Sequence, residues 1–190
     1  MLNIVIFGGP GSGKGTQSDK IASHYELTHI STGDVLRAEI AAKSEVGELA
    51  NSYISKGNLV PDNVIITILA KKLDDLGETN GVIFDGFPRT IPQAIALKEM
   101  LAARGTAVSV MLNLDVDNEE LTKRLLLRGQ VSGRSDDNLE TIKSRLEVYH
   151  TSTMPLIDYY KEEGLYAHIE GVGSIDEIFA RITSTIDAIK

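Results

Sequence analysis

The chain has 190 residues, 42% of them apolar, with 27 acidic against 19 basic side chains, a net charge of −8 and no cysteine. That length buries one sizeable core with room for small inserted lobes. The acidic balance argues against a nucleic-acid surface, the lack of a long apolar run excludes a helical membrane span, and zero cysteines exclude disulfides and thiolate metal sites.

Met1-Leu2-Asn3-Ile4 leads directly into an apolar run, with no basic region or small-residue cleavage site, so no targeting segment is expected. Residues 2–7 have buried-strand composition, and Gly8-Gly9-Pro10-Gly11-Ser12-Gly13-Lys14-Gly15-Thr16 follows them immediately. A segment free of Gly and Pro comes next, well past His24. Strand, glycine turn, Lys and helix are the context of a P-loop. Glycines bring consecutive N–H groups onto phosphate oxygens that a Cβ would obstruct, and the helix dipole and the Lys14 ammonium add positive charge. Gly15 stands where the general pattern has Ser or Thr, with Thr16 one residue late, so water rather than a hydroxyl would carry the Mg²⁺ contact. A dinucleotide fingerprint fails because Thr16 takes the place of its third glycine.

The second strand candidate is 28–31. The interval 32–80 then exceeds what one crossover helix needs. Asp34–Ala42, Val46–Ser55 and Asp62–Leu76 each read as helices, the last with Val64, Ile65, Ile68, Leu69, Leu73 and Leu76 on a stripe. The segment Lys56 to Asp62 ends one helix and caps the next. Residues 32–60 therefore read as a small helical lobe inserted in the sheet domain.

The third strand, 81–85, is an apolar run closed by Asp85, which resembles a Walker B element and would orient the water shell of Mg²⁺ beside the P-loop. Gly86-Phe87-Pro88-Arg89-Thr90 continues from it, and the Arg89 fork suits a phosphate. After the strand 108–114, Arg124 and Arg128 lie four apart on a predicted helix 118–128, whose buried face carries Leu121 and Leu125. Like charges at that spacing repel, which a shared polyphosphate relieves. Residues 129–135 read as a polar, glycine-flanked flap that carries Arg134. A long helix, 138–161, then carries Arg145 and a stripe of Leu139, Ile142, Leu146, Tyr149, Thr153 and Ile157. Asp137 with Glu140 fits a capping pair, and Asp136 and Asp137 also fit as partners of the arginines. The last strand is 165–170. None of His24, His29, His150 or His168 has metal-ligand spacing, and each reads as ordinary.

Strands alternating with helices give an α/β fold with a parallel five-stranded sheet, helices on both faces and ligands at the carboxyl ends of the strands. At these spacings Gly8–Thr16, Ser31–Arg37, Gly57–Pro61, Asp85–Arg89, Gln93, Arg124, Arg128, Gly133–Asp137 and Arg145 together resemble the adenylate kinase family, of the short-lid type, over about residues 2–185. The resemblance implies a P-loop NTPase-like three-layer αβα core (1–31, 61–128, 136–190), an NMP-binding insertion (32–60) and a short lid (129–135). It implies that Gly11, Ser12, Gly13, Lys14, Gly15, Thr16, Arg128 and the backbone near Gly173 hold ATP. It places AMP on Thr32, Arg37, Asn58, Leu59, Val60, Gly86, Phe87, Pro88, Arg89, Gln93, Arg134 and Arg145. Lys14, Arg89, Arg124, Arg128, Arg134 and Arg145 would carry catalysis, with Asp85 on magnesium through water. With the lid this short and no cysteines, no structural zinc is expected, and the implied enzyme is a cytoplasmic monomer without nucleic-acid or membrane partners.

The implied reaction is reversible phosphoryl transfer from Mg-ATP to AMP. A UMP/CMP kinase of the same fold is the nearest rival, and Thr32 and Gln93 discriminate, since a hydroxyl and an amide match the adenine edge. A nucleotide-dependent switch lacks a guanine motif and a water-activating carboxylate beside Asp85, and leaves the arginines without a purpose.

Overall fold

The computed structural model describes all residues, Met1 to Lys190. Five strands, β1 (Ile4–Gly8), β2 (Thr28–Ser31), β3 (Val82–Asp85), β4 (Val110–Asp115) and β5 (Tyr166–Glu170), form one parallel sheet in the order β2-β3-β1-β4-β5. β1 is central, with Ile4 opposite Ile83 on one side and Val110 on the other. This strand is apolar throughout because both faces of the sheet are covered. Ile4 and Ile6 enter one core, with Ile21, Leu112 and Ile182. Val5 and Phe7 enter the larger one, with Phe84, Leu69 and Leu97.

Helices α1 (Lys14–Tyr25) and α9 (Ile175–Asp187) cover the first face, and α4 (Asp62–Asp74), α5 (Ile91–Ala102) and α8 (Pro155–Glu162) cover the second. Each fully buried Leu or Phe contributes about 1.5–3 kcal/mol. At the amino end of the sheet, buried Asn3 ties three strands together. Its Nδ2 donates to Thr106 Oγ1 and the Ala107 carbonyl, and its Oδ1 accepts from Val82 N–H. At the carboxyl end, α1 leaves β1 on one face and α5 leaves its neighbour β3 on the other. The resulting crevice is where a ligand fits. No helix is long and apolar enough to cross a membrane.

Between β2 and α4 the chain forms a helical hairpin, α2 (Thr32–Ala41) and α3 (Glu45–Ile54). Their close approach needs a glycine, because a Cβ on Gly47 would sit 2.1 Å from the Glu39 carbonyl oxygen. Ser31 and Ser44 cap the two helices.

Two expectations change beyond β4. The helix expected over 118–128 continues as α6 (Asn118–Ser132), stopping only at Gly133, whose φ of +63° is a left-handed terminus. Much of the expected flap is therefore helical. The expected helix 138–161 divides into α7 (Leu139–Val148), a π-turn (Tyr149–Thr153) and α8. Pro155 has no N–H to continue an α ladder, and the wide turn, closed by Met154 N–H on the Tyr149 carbonyl, accommodates it. Thr153 is buried as expected, but beyond it the extra residue rotates the buried stripe from Ile157 to Leu156 and Tyr160. Leu139, expected on that stripe, is 50% exposed.

Candidate active site

Gly9–Gly13 turn the chain from β1 into α1. Gly11 and Gly13 hold φ of +84° and +96°, which side-chain-bearing residues avoid. Contact adds a second constraint: a Cβ on Gly11 would lie 2.8 Å from Leu125 Cγ, because α6 packs against the loop. Ser12 is buried beneath it. Helix α1 has no side-chain cap and no acidic residue in its first turn, so the N–H groups around Lys14, Gly15 and Thr16 remain for an anion. Lys14 Nζ arches over the loop, donating to the Gly8 and Gly9 carbonyls at 2.9 and 3.0 Å. Burial pushes its pKa down to about 8; Asp85 opposes this, while Arg89, Arg145 and Arg128 reinforce it.

Asp85 ends β3 opposite this loop and is 8% exposed. Its Oδ2 lies 3.7 Å from where a Cβ of Gly15 would stand. No Lys or Arg lies within ion-pair distance of it; His29 Nε2 stands 3.4 Å away, without hydrogen-bond alignment. The Asp85 carboxylate, helped by Asp19 on the other ring nitrogen, raises the His29 pKa. His29, read as ordinary from sequence, is thus the side chain that backs this carboxylate. A lone inward carboxylate beside a phosphate loop fits Mg²⁺ brought in with a nucleotide and largely hydrated, and it does not fit a resident all-protein metal cage.

The cleft beyond opens to solvent and is lined from several elements. Lys14 and Arg89 line it on the P-loop side. Thr32, Arg37 and the Asn58–Val60 segment line it from the helical hairpin and its exit. Gly86, Phe87, Pro88 and Gln93 form the wall after β3, and Arg145 reaches in from α7. Within it Thr32 Oγ1 donates to the Gly86 carbonyl at 2.9 Å, which leaves its lone pairs for a ligand. Arg37 pairs with Asp34, and Arg89 Nε donates to the Gly86 carbonyl at 2.8 Å. Burial, then the field of Arg145, pushes the Arg89 pKa down.

Around residues 129–137 the cations are held by two carboxylates. Arg128 grips Asp137 with Nε and Nη2, and Arg145 Nη1 reaches Asp137 Oδ1 at 2.9 Å and Asp136 Oδ2 at 3.1 Å. Burial opposes ionisation of Asp137, but the hydrogen bonds and charge from Arg128, with Arg145 and Arg134 behind them, hold it below the usual carboxylate range. The capping reading of Asp137 is overturned: Asn138 caps α7, its Oδ1 accepting from Thr141 N–H at 3.0 Å. The arginine-holding reading is what the geometry shows. Arg134 makes no ion pair; burial and the fields of Arg37 and Arg128 lower its pKa.

Two predicted residues stand apart from this cluster. Arg124 donates to Glu120 at 2.8 Å and to the Gly171 carbonyl at 3.2 Å, so it points to the β5–α9 loop rather than joining Arg128. Gly173 lies on that loop with φ +129°, and Arg181 ties the loop to α9 through the Glu170 and Val172 carbonyls. A third correction concerns Asp62. It does not cap α4, whose terminus has no side-chain cap; its carboxylate accepts from Thr90 Oγ1 at 3.0 Å and Gln93 Nε2 at 2.7 Å. Sequence reasoning missed this because an Asp after Pro at a helix start has the same pattern as a cap.

The sequence model of the adenylate kinase family matches residues 6–165. The adenylate kinase of Parabacteroides distasonis is 65% identical over 190 residues, covering all of both chains. Those of Phocaeicola vulgatus and Bacteroides thetaiotaomicron are 62% and 60% identical over 189 residues, again over the whole of each chain.

Proposed function

The chain belongs to the adenylate kinase family and is a nucleoside monophosphate kinase; we propose that its cleft takes Mg-ATP on the P-loop and AMP on the Thr32–Gln93 side. The observation that carries this reading is the convergence of Lys14, Arg89, Arg128 and Arg145, drawn from four separate elements, within one electrostatic neighbourhood of an acidic protein.

Two polyanions repel, and phosphoryl transfer needs their reacting ends in line. Lys14 and the N–H groups of Gly11–Thr16 hold the ATP phosphates, and Arg89 holds the AMP phosphate with its planar fork. An AMP phosphate oxygen bonds to the terminal phosphorus as the bridging oxygen departs with the two remaining phosphates, leaving two ADP. That nucleophile is anionic near neutral pH, so no general base is required. Asp85 would hold magnesium brought in with ATP, through water, and the ion would supply charge neutralisation to the phosphates. Arg128, Arg134 and Arg145 complete the cage from the lid side, and Arg124 with the Gly171–Gly173 loop borders the ATP base. The hairpin 32–60 and the lid 129–135 close over the nucleotides and shed water, a competing acceptor. Free surface for those lobes favours a monomer, and the absence of cysteine suits the cytoplasm.

The test is an acceptor panel of AMP, UMP, CMP and GMP with ATP, with and without Mg²⁺. AMP is expected to dominate and magnesium to be required. Equal or greater turnover of UMP or CMP overturns the adenine assignment in favour of a pyrimidine kinase.

A further inference from the structure

A glutamine amide presents a carbonyl and an NH₂ of nearly the same shape, and a half-turn exchanges them. Both ends of the Gln93 amide are committed. Oε1 accepts from the Arg89 backbone N–H at 2.7 Å, and Nε2 donates to Asp62 Oδ1 at 2.7 Å. A backbone N–H only donates and a carboxylate only accepts, so the reversed amide would set donor against donor and oxygen against oxygen. Thr90 Oγ1 donates to the same Asp62 oxygen at 3.0 Å and fixes the carboxylate in turn. Gln93 is 2% exposed yet lines the cleft, so water is poorly placed to replace a lost partner.

The unused capacity of the amide is one lone pair on Oε1 beside one N–H on Nε2. A 6-aminopurine offers the complement on its Watson–Crick edge, an amino donor next to the N1 acceptor. A 6-oxopurine offers the opposite pair, a carbonyl next to an N1 donor, and meets a mismatch at both atoms. We propose that Asp62 is a specificity-determining positioning residue: by holding Gln93 in one amide orientation, it makes the acceptor site read a 6-aminopurine and reject a 6-oxopurine. The inference rests on the placement of the AMP base against Gln93 given above.

The test measures kcat/KM for AMP and for IMP in wild type, Asp62→Asn, Asp62→Ser and Gln93→Leu, at saturating Mg-ATP. Either new side chain at position 62 can donate as well as accept, so one of the two locks on the amide is released. The AMP-to-IMP ratio is expected to fall about 10- to 100-fold in both variants, through the KM of the monophosphate, while kcat with AMP and the KM for ATP stay within a few-fold. Each ratio is internal to one preparation, so loss of folded protein cancels. A ratio kept at the wild-type value in both Asp62 variants, with Gln93→Leu collapsing it, overturns the proposal and leaves Gln93 as the reader of the base. A ratio kept in Gln93→Leu overturns the base placement itself.

Discussion

Arg128 holds Asp137 by both arms of its guanidinium, Nε at 2.6 Å and Nη2 at 2.7 Å, and the Asp137 side chain is wholly out of solvent. This bidentate pair joins the end of α6 to the start of α7 across residues 129–136. A carboxylate in that position is stabilised by its partners more than it is destabilised by burial, and its folded pKa is depressed. Such a group contributes stability above its unfolded pKa, and the contribution is lost as pH falls through the folded value. Asp137→Asn is therefore expected to lower stability by about 1–3 kcal/mol at pH 7. The gap to wild type should close below about pH 4, the ordinary carboxylate value. Urea melts of both proteins across that window check it; a gap independent of pH would show that shape, not charge, holds α6 to α7.

Lys14 has a pKa pushed down to about 8 by burial, with nearby arginines adding to the shift. The free enzyme then loses this charge as pH rises through 8, and ATP binding should weaken over the same range. Lys14→Arg, which cannot deprotonate there, should bind ATP with a flat profile between pH 7 and 9.5. Equilibrium titration with a fluorescent ATP analogue is the measurement, and an equally flat wild-type profile would separate Lys14 from the phosphates.

Arg89→Ala should reduce turnover by about three orders of magnitude or more, and Arg89→Lys should recover little of it, because a point charge does not replace a bidentate fork. In wild type, ATP hydrolysis without AMP should remain a negligible fraction of the transfer rate. Steady-state assays of both reactions test the arginine role and the closure model together; a hydrolysis rate near the transfer rate argues against closure.

Gly47→Ala probes the hairpin. The added methyl would meet the Glu39 carbonyl at 2.1 Å, and backbone cannot swing away as a side chain does. Helices α2 and α3 must separate, which shifts Thr32 and Arg37 at the base of α2. The KM for AMP is expected to rise about 10-fold or more, of the order that displaced positioning groups lose, with the KM for ATP unchanged. Equal rises for both nucleotides would place the effect on the whole enzyme.

The strands and the P-loop were legible in the sequence because their signals are local. Residues 2–7 are apolar without interruption, as a central parallel strand must be, and Gly11 and Gly13 occupy backbone angles that side chains resist. Residues 129–135 were harder to read. Gly129 and polar Gln130 read as loop, yet α6 runs through them to Gly133, where a left-handed residue ends it. The helix read over 138–161 passed straight through Pro155, because the break and the rotation of its buried stripe depend on which turn absorbs the proline.

Sequence by itself determined the class of chemistry, because a strand, a glycine loop, Lys14 and a closing Asp85 are set by short-range backbone requirements. Partnership was decided only by tertiary structure. Whether Asp62 caps α4 or holds Gln93, whether Asp137 caps α7 or grips Arg128, and whether Arg124 joins Arg128 or turns to Gly171 are choices set by how separate elements pack together. Carboxylates and guanidinium groups bond whichever complementary group the packing brings within about 3 Å, and no local pattern encodes that meeting.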